Sequence, residues 1–376
     1  MKNNFIPVNV PLIKGNELKY LKKCIYTGWI SSEGGYVKEF EKKFCRSVNR
    51  KYGISVSSGT AALDIAIDSI GISKGDEVIL PASVIISCVN QIVRLGAKPV
   101  LVDLKKDTLN MDPDEVLSKV NKRTKAIMIT HLYGLPVDLD PILKIAKKNK
   151  IIIIEDAAEM YGQTYKSIPC GSFGLVSTFS FYANKQITTG EGGMIVTNSK
   201  KIAEKCSELR NLCFKKNRRF VHYKIGWNYR MSNIQAALGV AQLERKNEIV
   251  KLKRRIGSFY NKKLKKIKKI SLPIRKVNYA DNIYWVYTII LKKKYKVTAD
   301  YVCKRLLQKG IQTRRLFYPL NKQPVLKKYN FFKNKKFPNA EYLYKYGFYI
   351  PSGLGINKKD QEKVCKNLIE ILKTKK

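Results

Sequence analysis

One lysine stands out in a chain that has many. Lys185 lies in "STFSFYANKQITTGEGGMIVTN", residues 177–198, among small, aromatic and hydroxyl side chains rather than among other cations. An amine becomes a nucleophile at neutral pH when its pKa is depressed, and apolar surroundings depress it because they disfavour the charged form. Such a lysine can form a Schiff base with an aldehyde cofactor; otherwise a lysine in a loop is a surface residue. Upstream, "IIIIEDAAE" ends an apolar run in Glu155, Asp156 and Glu159. A carboxylate at the end of a buried strand can hold a protonated ring nitrogen, and by itself it can equally cap a helix. Earlier still, "SVSSGTAALDIAI" sets Ser58, Gly59 and Thr60 at the start of a helix. The free N–H groups and the positive dipole end there suit a phosphate. Gly59 would allow close backbone approach, although an ordinary capped helix has the same pattern.

The elements that must position these residues alternate. "YGISVSSGTAALDIAIDSIGI" reads as strand, tight turn and helix, "DEVILP" as a strand, and "QIVRLGAKPVLVDL" as a helix end and a strand. "TKAIMITHLYG" is a strand, "LDPILKIAKKNK" a helix, "IIIIEDAAE" a buried strand, and "TFSFY" and "GGMIVTN" two more strands around the lysine. This order implies an α/β fold, a mostly parallel central sheet with helices on both faces. Ligands of such sheets sit at the carboxyl ends of the strands, where Ser57 to Thr60, His131, Asp156 and the Lys185 loop would converge. A phosphate cradle, an acid and an amine on one sheet edge are the three anchors that pyridoxal 5'-phosphate needs. After about residue 245 the texture changes. "LERKNEIVKLKRRIGSFYNKKLKKI" reads as one long amphipathic helix, followed by a strand in "NIYWVYTIIL" and a helix in "TADYVCKRLLQKG". The expected division is a large cofactor-binding domain, 1–245, and a smaller C-terminal α+β domain, 246–376.

The bulk numbers narrow the classes. With 376 residues and 44% hydrophobic content, the chain can bury a sizeable core in two domains. No run of 18 apolar residues exists, which argues against a membrane span. "MKNNFIPVNVPLIKG", broken by Pro7 and Pro11, does not read as a signal peptide. Eight scattered cysteines form no C-x-x-C or zinc spacing, and His131 and His222 are the only histidines, so no multi-histidine metal site is expected. Scattered thiols suggest a reducing, cytoplasmic setting. The formal charge of +44 raises a nucleic-acid binder as one reading. The cations, however, are mostly lysines spread over many helices, as in "KIAKKNK" and "NKKLKKIKKI". A solvated surface that attracts phosphorylated small molecules, with no specific nucleic-acid partner, is the expected meaning.

The ordered series "GWISSEG", "VSSGTAAL", "GDEVILP", "GAKPVLVD", "HLYG", "EDAAE", "GSFG", "FSFYANKQITTGEGG", "NYRMSNIQAALG" and "PSG" runs from Gly28 to Gly353. With these motifs the chain resembles the DegT/StrS family of sugar-nucleotide aminotransferases, which have the fold-type I architecture of pyridoxal-phosphate enzymes. The resemblance implies that Lys185 is the Schiff-base lysine and Asp156 the partner of the pyridine nitrogen. It places Glu159 near the cofactor's phenolic oxygen, and Gly59, Thr60 and Ser180 at its phosphate. Asn228 matches an asparagine that reaches the phosphate across a homodimer interface, so active sites shared between subunits are expected. Two stretches depart from the family. Val84 and Ile85 stand where many relatives have Thr and a ring-stacking aromatic, leaving an aliphatic wall at Ile85, and Arg315 stands where Pro is frequent. Arg230, Arg314 and Tyr318 are candidates for holding the sugar nucleotide or the donor carboxylate. The implied reaction takes an amino group from glutamate, through pyridoxamine phosphate, to C4 of a nucleotide-linked 4-keto-6-deoxyhexose, giving a GDP-perosamine or UDP/TDP-viosamine type of product. The alternatives are a sugar 3-dehydratase of the same family, which has His at the lysine position, and a non-enzymatic basic regulator.

Overall fold

The computed structural model describes residues 5–215 and 218–374. Seven strands form the central sheet in the order Tyr52–Val56, Gly193–Thr197, Val176–Ser180, Ile152–Asp156, Thr124–Thr130, Glu77–Pro81 and Lys98–Val102. Six run the same way, and Gly193–Thr197 alone opposes its neighbours. The sheet is therefore mostly parallel, as the alternating elements imply, and helices cover it. The strand Ile152–Asp156 occupies the middle. Its β-branched residues suit a position buried on both faces, and Ile153 through Asp156 are all buried. Asp156 lies in register with Thr130 on one side and Thr178 on the other.

Successive strand side chains point to opposite faces, so Glu155 and Asp156 have different fates. Glu155 is fully buried and accepts hydrogen bonds from the amides of Gly171, Phe173 (2.8 Å) and Gly174 (3.1 Å) and from the Ser177 hydroxyl (3.1 Å). His131 Nδ1 accepts from the Val137 amide, which leaves Nε2 to donate to Glu155 at 3.1 Å. Buried Arg50 completes the knot through the Gly171 carbonyl (2.7 Å) and Ser177 Oγ (3.3 Å). Burial pushes the Glu155 pKa up, but the His131 bond and the amides outweigh it and hold the carboxyl below its ordinary value. The "GSFG" turn is thus folded around a buried carboxylate and leaves Asp156 to face the other way.

The second sheet has four antiparallel strands, in the order Ile270–Ser271, Tyr287–Leu291, Gly347–Ile350 and Arg314–Arg315. The long helix Lys246–Leu264 leads into it, and position 245 falls between this helix and Asn233–Leu243. The segment Ile6 to Val10 also runs with this second unit. Ile6 forms a parallel bridge to Ile311, the Ser352 amide donates to the Val8 carbonyl, and the Gly355 amide donates to the Val10 carbonyl. Among the described residues no helix is long and apolar enough to cross a membrane.

Candidate active site

A cleft of about 360 Å³ opens where the carboxyl ends of the large sheet meet the small one. Its floor and one end come from the first unit: Ser58, Gly59, Thr60, His131, Asp156, Glu159, Thr178, Ser180 and Lys185. Its far wall is aromatic, with Tyr133 from the first unit and Trp285, Phe317 and Tyr349 from the second.

The end expected to take a phosphate is built by the helix Gly59–Ser69. Ser58 caps it, its hydroxyl accepting from the Ala61 amide at 3.1 Å. Gly59 faces Ser180 so closely that a Cβ there would sit 2.8 Å from the Ser180 Cβ. Glycine is therefore required by packing as well as by access. The Thr60 hydroxyl pairs with Ser87 Oγ at 2.7 Å, which ties the cradle to the helix Ser87–Arg94.

Asp156 sits at the centre of the floor, 3% exposed. Its Oδ1 accepts from the Ala158 amide (3.1 Å) and its Oδ2 from the Cys88 thiol (3.3 Å). Burial pushes its pKa above the ordinary carboxylate value, opposed by these two bonds and by the charge of Lys185. A cationic ring nitrogen would satisfy a carboxylate in this position. Glu159 is also buried; its Oε2 accepts from the Tyr133 amide at 2.6 Å, and burial raises its pKa against the pull of Lys185. Tyr133 has φ 58°, a left-handed conformation that costs a bulky residue energy. That turn aims its amide at Glu159 and its ring at the wall, stacked on Trp285 and Phe317.

Lys185 lies half-buried beside them. Burial lowers its pKa, while Glu159 and then Asp156 pull it back up. Its Nζ is 4.0 Å from the centre of the Trp285 ring. The Asn184 carbonyl, next to it in the chain, accepts from Trp285 Nε1 (3.0 Å) and Asn9 Nδ2 (3.2 Å), so the lysine loop is held by both the second unit and the N-terminal segment.

The set fits pyridoxal phosphate. An amine, a buried acid and an N-terminal helix cradle share one cleft, and two cleft-lining buried oxygens, Thr178 Oγ1 and Asn184 Oδ1, have no partner among the described residues. Ile85 lines the cleft as the aliphatic wall and is 48% exposed. Asn228 does not line the cleft of its own chain. It is exposed, on a segment bridged to Asn211. Arg230 is likewise outside, donating to Asn211 Oδ1 at 2.7 Å. Arg314 is exposed on its edge strand and Tyr318 packs edge-on against Tyr344; neither lines the cleft. Their neighbours Arg315 and Phe317 do. Strand alternation from an edge of only two residues decides which arginine points inward. Phe317, Trp285 and Tyr349 carry no local motif, their only sequence signal being an aromatic-rich second unit, whereas Arg315 stands out in sequence only as a departure from the family.

A profile of the DegT/DnrJ/EryC1/StrS aminotransferase family matches residues 11–369. The GDP-perosamine synthase of Escherichia coli O157:H7 is 38% identical over 371 residues, covering 99% of this chain and 100% of that one. Among solved structures, the aminotransferase TlmJ from Streptoalloteichus hindustanus superposes with a TM-score of 0.91 at 26% identity, covering 98% of this chain and 99% of that one. The GDP-4-keto-6-deoxy-D-mannose-3-dehydratase of E. coli, solved with bound hydrated PLP, has a TM-score of 0.87 at 25% identity, covering 96% of this chain and 99% of that one. By motif order, fold and cleft alike, this chain belongs to the DegT/DnrJ/EryC1/StrS aminotransferase family.

Proposed function

We propose that the chain is a pyridoxal-phosphate-dependent aminotransferase that takes nitrogen from glutamate and delivers it to C4 of a nucleotide-linked 4-keto-6-deoxyhexose. The observation that carries this reading is the amine of Lys185 in one cleft with Asp156 and the Gly59–Thr60–Ser180 cradle. The GDP-perosamine synthases that match nearly the whole chain favour a GDP-linked substrate over a UDP- or TDP-linked one. The dehydratases of the resemblance have His where this chain has Lys185, which disfavours that alternative.

When bound, the cofactor supplies an electron sink and a carrier for the amino group. The buried Asp156 carboxylate would accept the hydrogen bond of the cofactor's protonated ring nitrogen and shield it from bulk water. The helix end at Gly59, with Thr60 and Ser180, would hold the cofactor's phosphate. Lys185 Nζ, with a depressed pKa, takes and returns the proton at the reacting carbon. The Trp285–Phe317–Tyr349 wall excludes water from that side.

The enzyme works as a homodimer with shared sites. Among the described residues lining the cleft, Lys185 and Arg315 are the only lysine or arginine, and Arg315 is engaged with Asp300 and the Tyr344 carbonyl. A nucleotide diphosphate and a glutamate carboxylate need further cations, and a second copy can bring Asn228 and Arg230. Exposed apolar side chains at Trp29 (57%), Phe220 (82%) and Ile225 (95%) are surface for that copy to cover. The cytoplasm suits the chain, since all eight cysteines are free.

The decisive assay incubates the holoenzyme with glutamate and each of the GDP-, UDP- and TDP-linked 4-keto-6-deoxyhexoses and follows sugar and 2-oxoglutarate by mass spectrometry. Amino-sugar formed one-for-one with 2-oxoglutarate is expected; deoxygenation at C3 without nitrogen transfer would refute the reading. For shared sites, equal mixtures of inactive Lys185→Ala and inactive Asn228→Ala chains should recover about a quarter of wild-type sites after random exchange, because half of the dimers then hold one intact site of two. No recovery after verified exchange would refute them.

A further inference from the structure

The segment Ile85–Cys88, which leads into the helix Ser87–Arg94, meets the site at three points. Ile85 forms the aliphatic wall, Ser87 Oγ meets the cradle residue Thr60 at 2.7 Å, and Cys88 Sγ reaches Asp156 Oδ2 at 3.3 Å. Cys88 is wholly buried, behind the floor rather than in it. Among the described residues the thiol's only other hydrogen-bond partner is Thr130 Oγ1 at 3.9 Å. A thiol has one proton, and a carboxylate can only accept. If the thiol proton points to Asp156, the Thr130 hydroxyl is left to donate to the sulfur. Burial, reinforced by the nearby Asp156 charge, pushes the Cys88 pKa well up, so the thiol stays protonated.

We propose that Cys88 is a positioning residue for Asp156: its thiol donates to Oδ2, fixes the carboxylate plane together with the Ala158 amide on Oδ1, and keeps the shared proton on the cofactor's ring nitrogen. The proposal rests on Asp156 being the ring-nitrogen partner. The physical basis is competition for one proton. Each donor to a carboxylate lowers its proton affinity, so a proton between Asp156 and a ring nitrogen stays on nitrogen while the donors remain. Loss of one lets it move toward oxygen. The same turn braces the phosphate end through Ser87 and Thr60, so it sets both ends of the cofactor bed at once.

The test uses holoenzyme reconstituted with pyridoxal phosphate labelled with ¹⁵N in the ring. In Cys88→Ala the ring-nitrogen resonance should move toward the unprotonated pyridine value, and cofactor affinity, read by tryptophan quenching of the apoprotein, should fall about threefold to tenfold, as expected for one weak bond to a charged group. Cys88→Ser, which keeps a donor, should restore the resonance. A purely packing role would leave the resonance in place or displace it equally in both variants, and either result overturns the proposal. Asp156→Asn is the reference. If that variant moves the resonance and Cys88→Ala does not, Cys88 has no such role while Asp156 keeps its own. If Asp156→Asn leaves the resonance unmoved, the assignment of Asp156 falls and the proposal with it.

Discussion

Replacing Lys253 by Met should change how the protein's stability responds to pH. Lys253 lies on the long helix Lys246–Leu264 and is 3% exposed. Its Nζ donates to the carbonyls of Trp285 (2.8 Å) and Ser352 (2.7 Å), so it ties the helix to the start of the strand that carries the cleft wall. Among the described residues no carboxylate pairs with it. Burial lowers its pKa from 10.5 to about 7. At 1.36 kcal/mol per pKa unit, that shift amounts to about 5 kcal/mol of preference for the neutral amine in the folded state. Below about pH 7 the amine is charged both folded and unfolded, and its contribution does not vary. Between about pH 7 and 10.5 the unfolded chain binds the extra proton, so stability rises with pH at about 1.4 kcal/mol per unit. In Lys253→Met that slope is absent, and the two carbonyls lose their donor, at about 1–3 kcal/mol each. The margin of wild type over variant should therefore widen by about 2–3 kcal/mol from about pH 7 to pH 9. Urea unfolding of both apoproteins across that range, followed by tryptophan fluorescence, measures it. A constant margin would show that Lys253 does not titrate there and refute the reasoning.

Gly59→Ala places a Cβ 2.8 Å from the Ser180 Cβ and 3.1 Å from its Oγ, so the phosphate cradle must open; cofactor affinity should fall roughly tenfold or more, about 1.4 kcal/mol, and an unchanged affinity would show that this contact does not set the cradle. Lys185→Ala should lose turnover by several orders of magnitude together with the borohydride-reducible link to the cofactor, and peptide mapping that tags a different lysine would displace the assignment. The surplus positive charge should give DNA binding that drops by about 10³–10⁵ between roughly 50 and 200 mM salt, as several phosphate contacts would, while sugar-nucleotide turnover persists. Sequence-specific DNA binding at the higher salt would revive the regulator reading.

Much of the site was legible in the chain because its residues belong to local elements. The cradle at Gly59 is a turn followed by a capped helix, Asp156 ends an apolar strand, and Lys185 follows a strand and precedes GEGG; each is encoded within a dozen neighbours. The alternation of strands and helices sufficed for a mostly parallel sheet, and such a sheet collects its strand ends on one edge. The opposite roles of Glu155 and Asp156 were less accessible. Adjacent acids look alike in sequence, and only the sheet shows that one anchors the "GSFG" turn with His131 and Arg50 while the other faces the cleft.

What only the tertiary structure decided lies at long sequence separation. Trp285 stands 100 residues from Lys185, and nothing near either one encodes their contact. The same is true of Cys88 and Asp156, and of Ile6 to Val10, which run along Ile311 and Ser352. Arg315 rather than Arg314 lines the cleft because a two-residue edge strand has too short a pattern to reveal its inward face. Local hydrogen bonding and hydrophobic period specify which element forms and which way its site residue points. The partners that bury, shield and orient that residue are chosen by how whole elements pack, and packing brings together side chains with no neighbour relation along the chain.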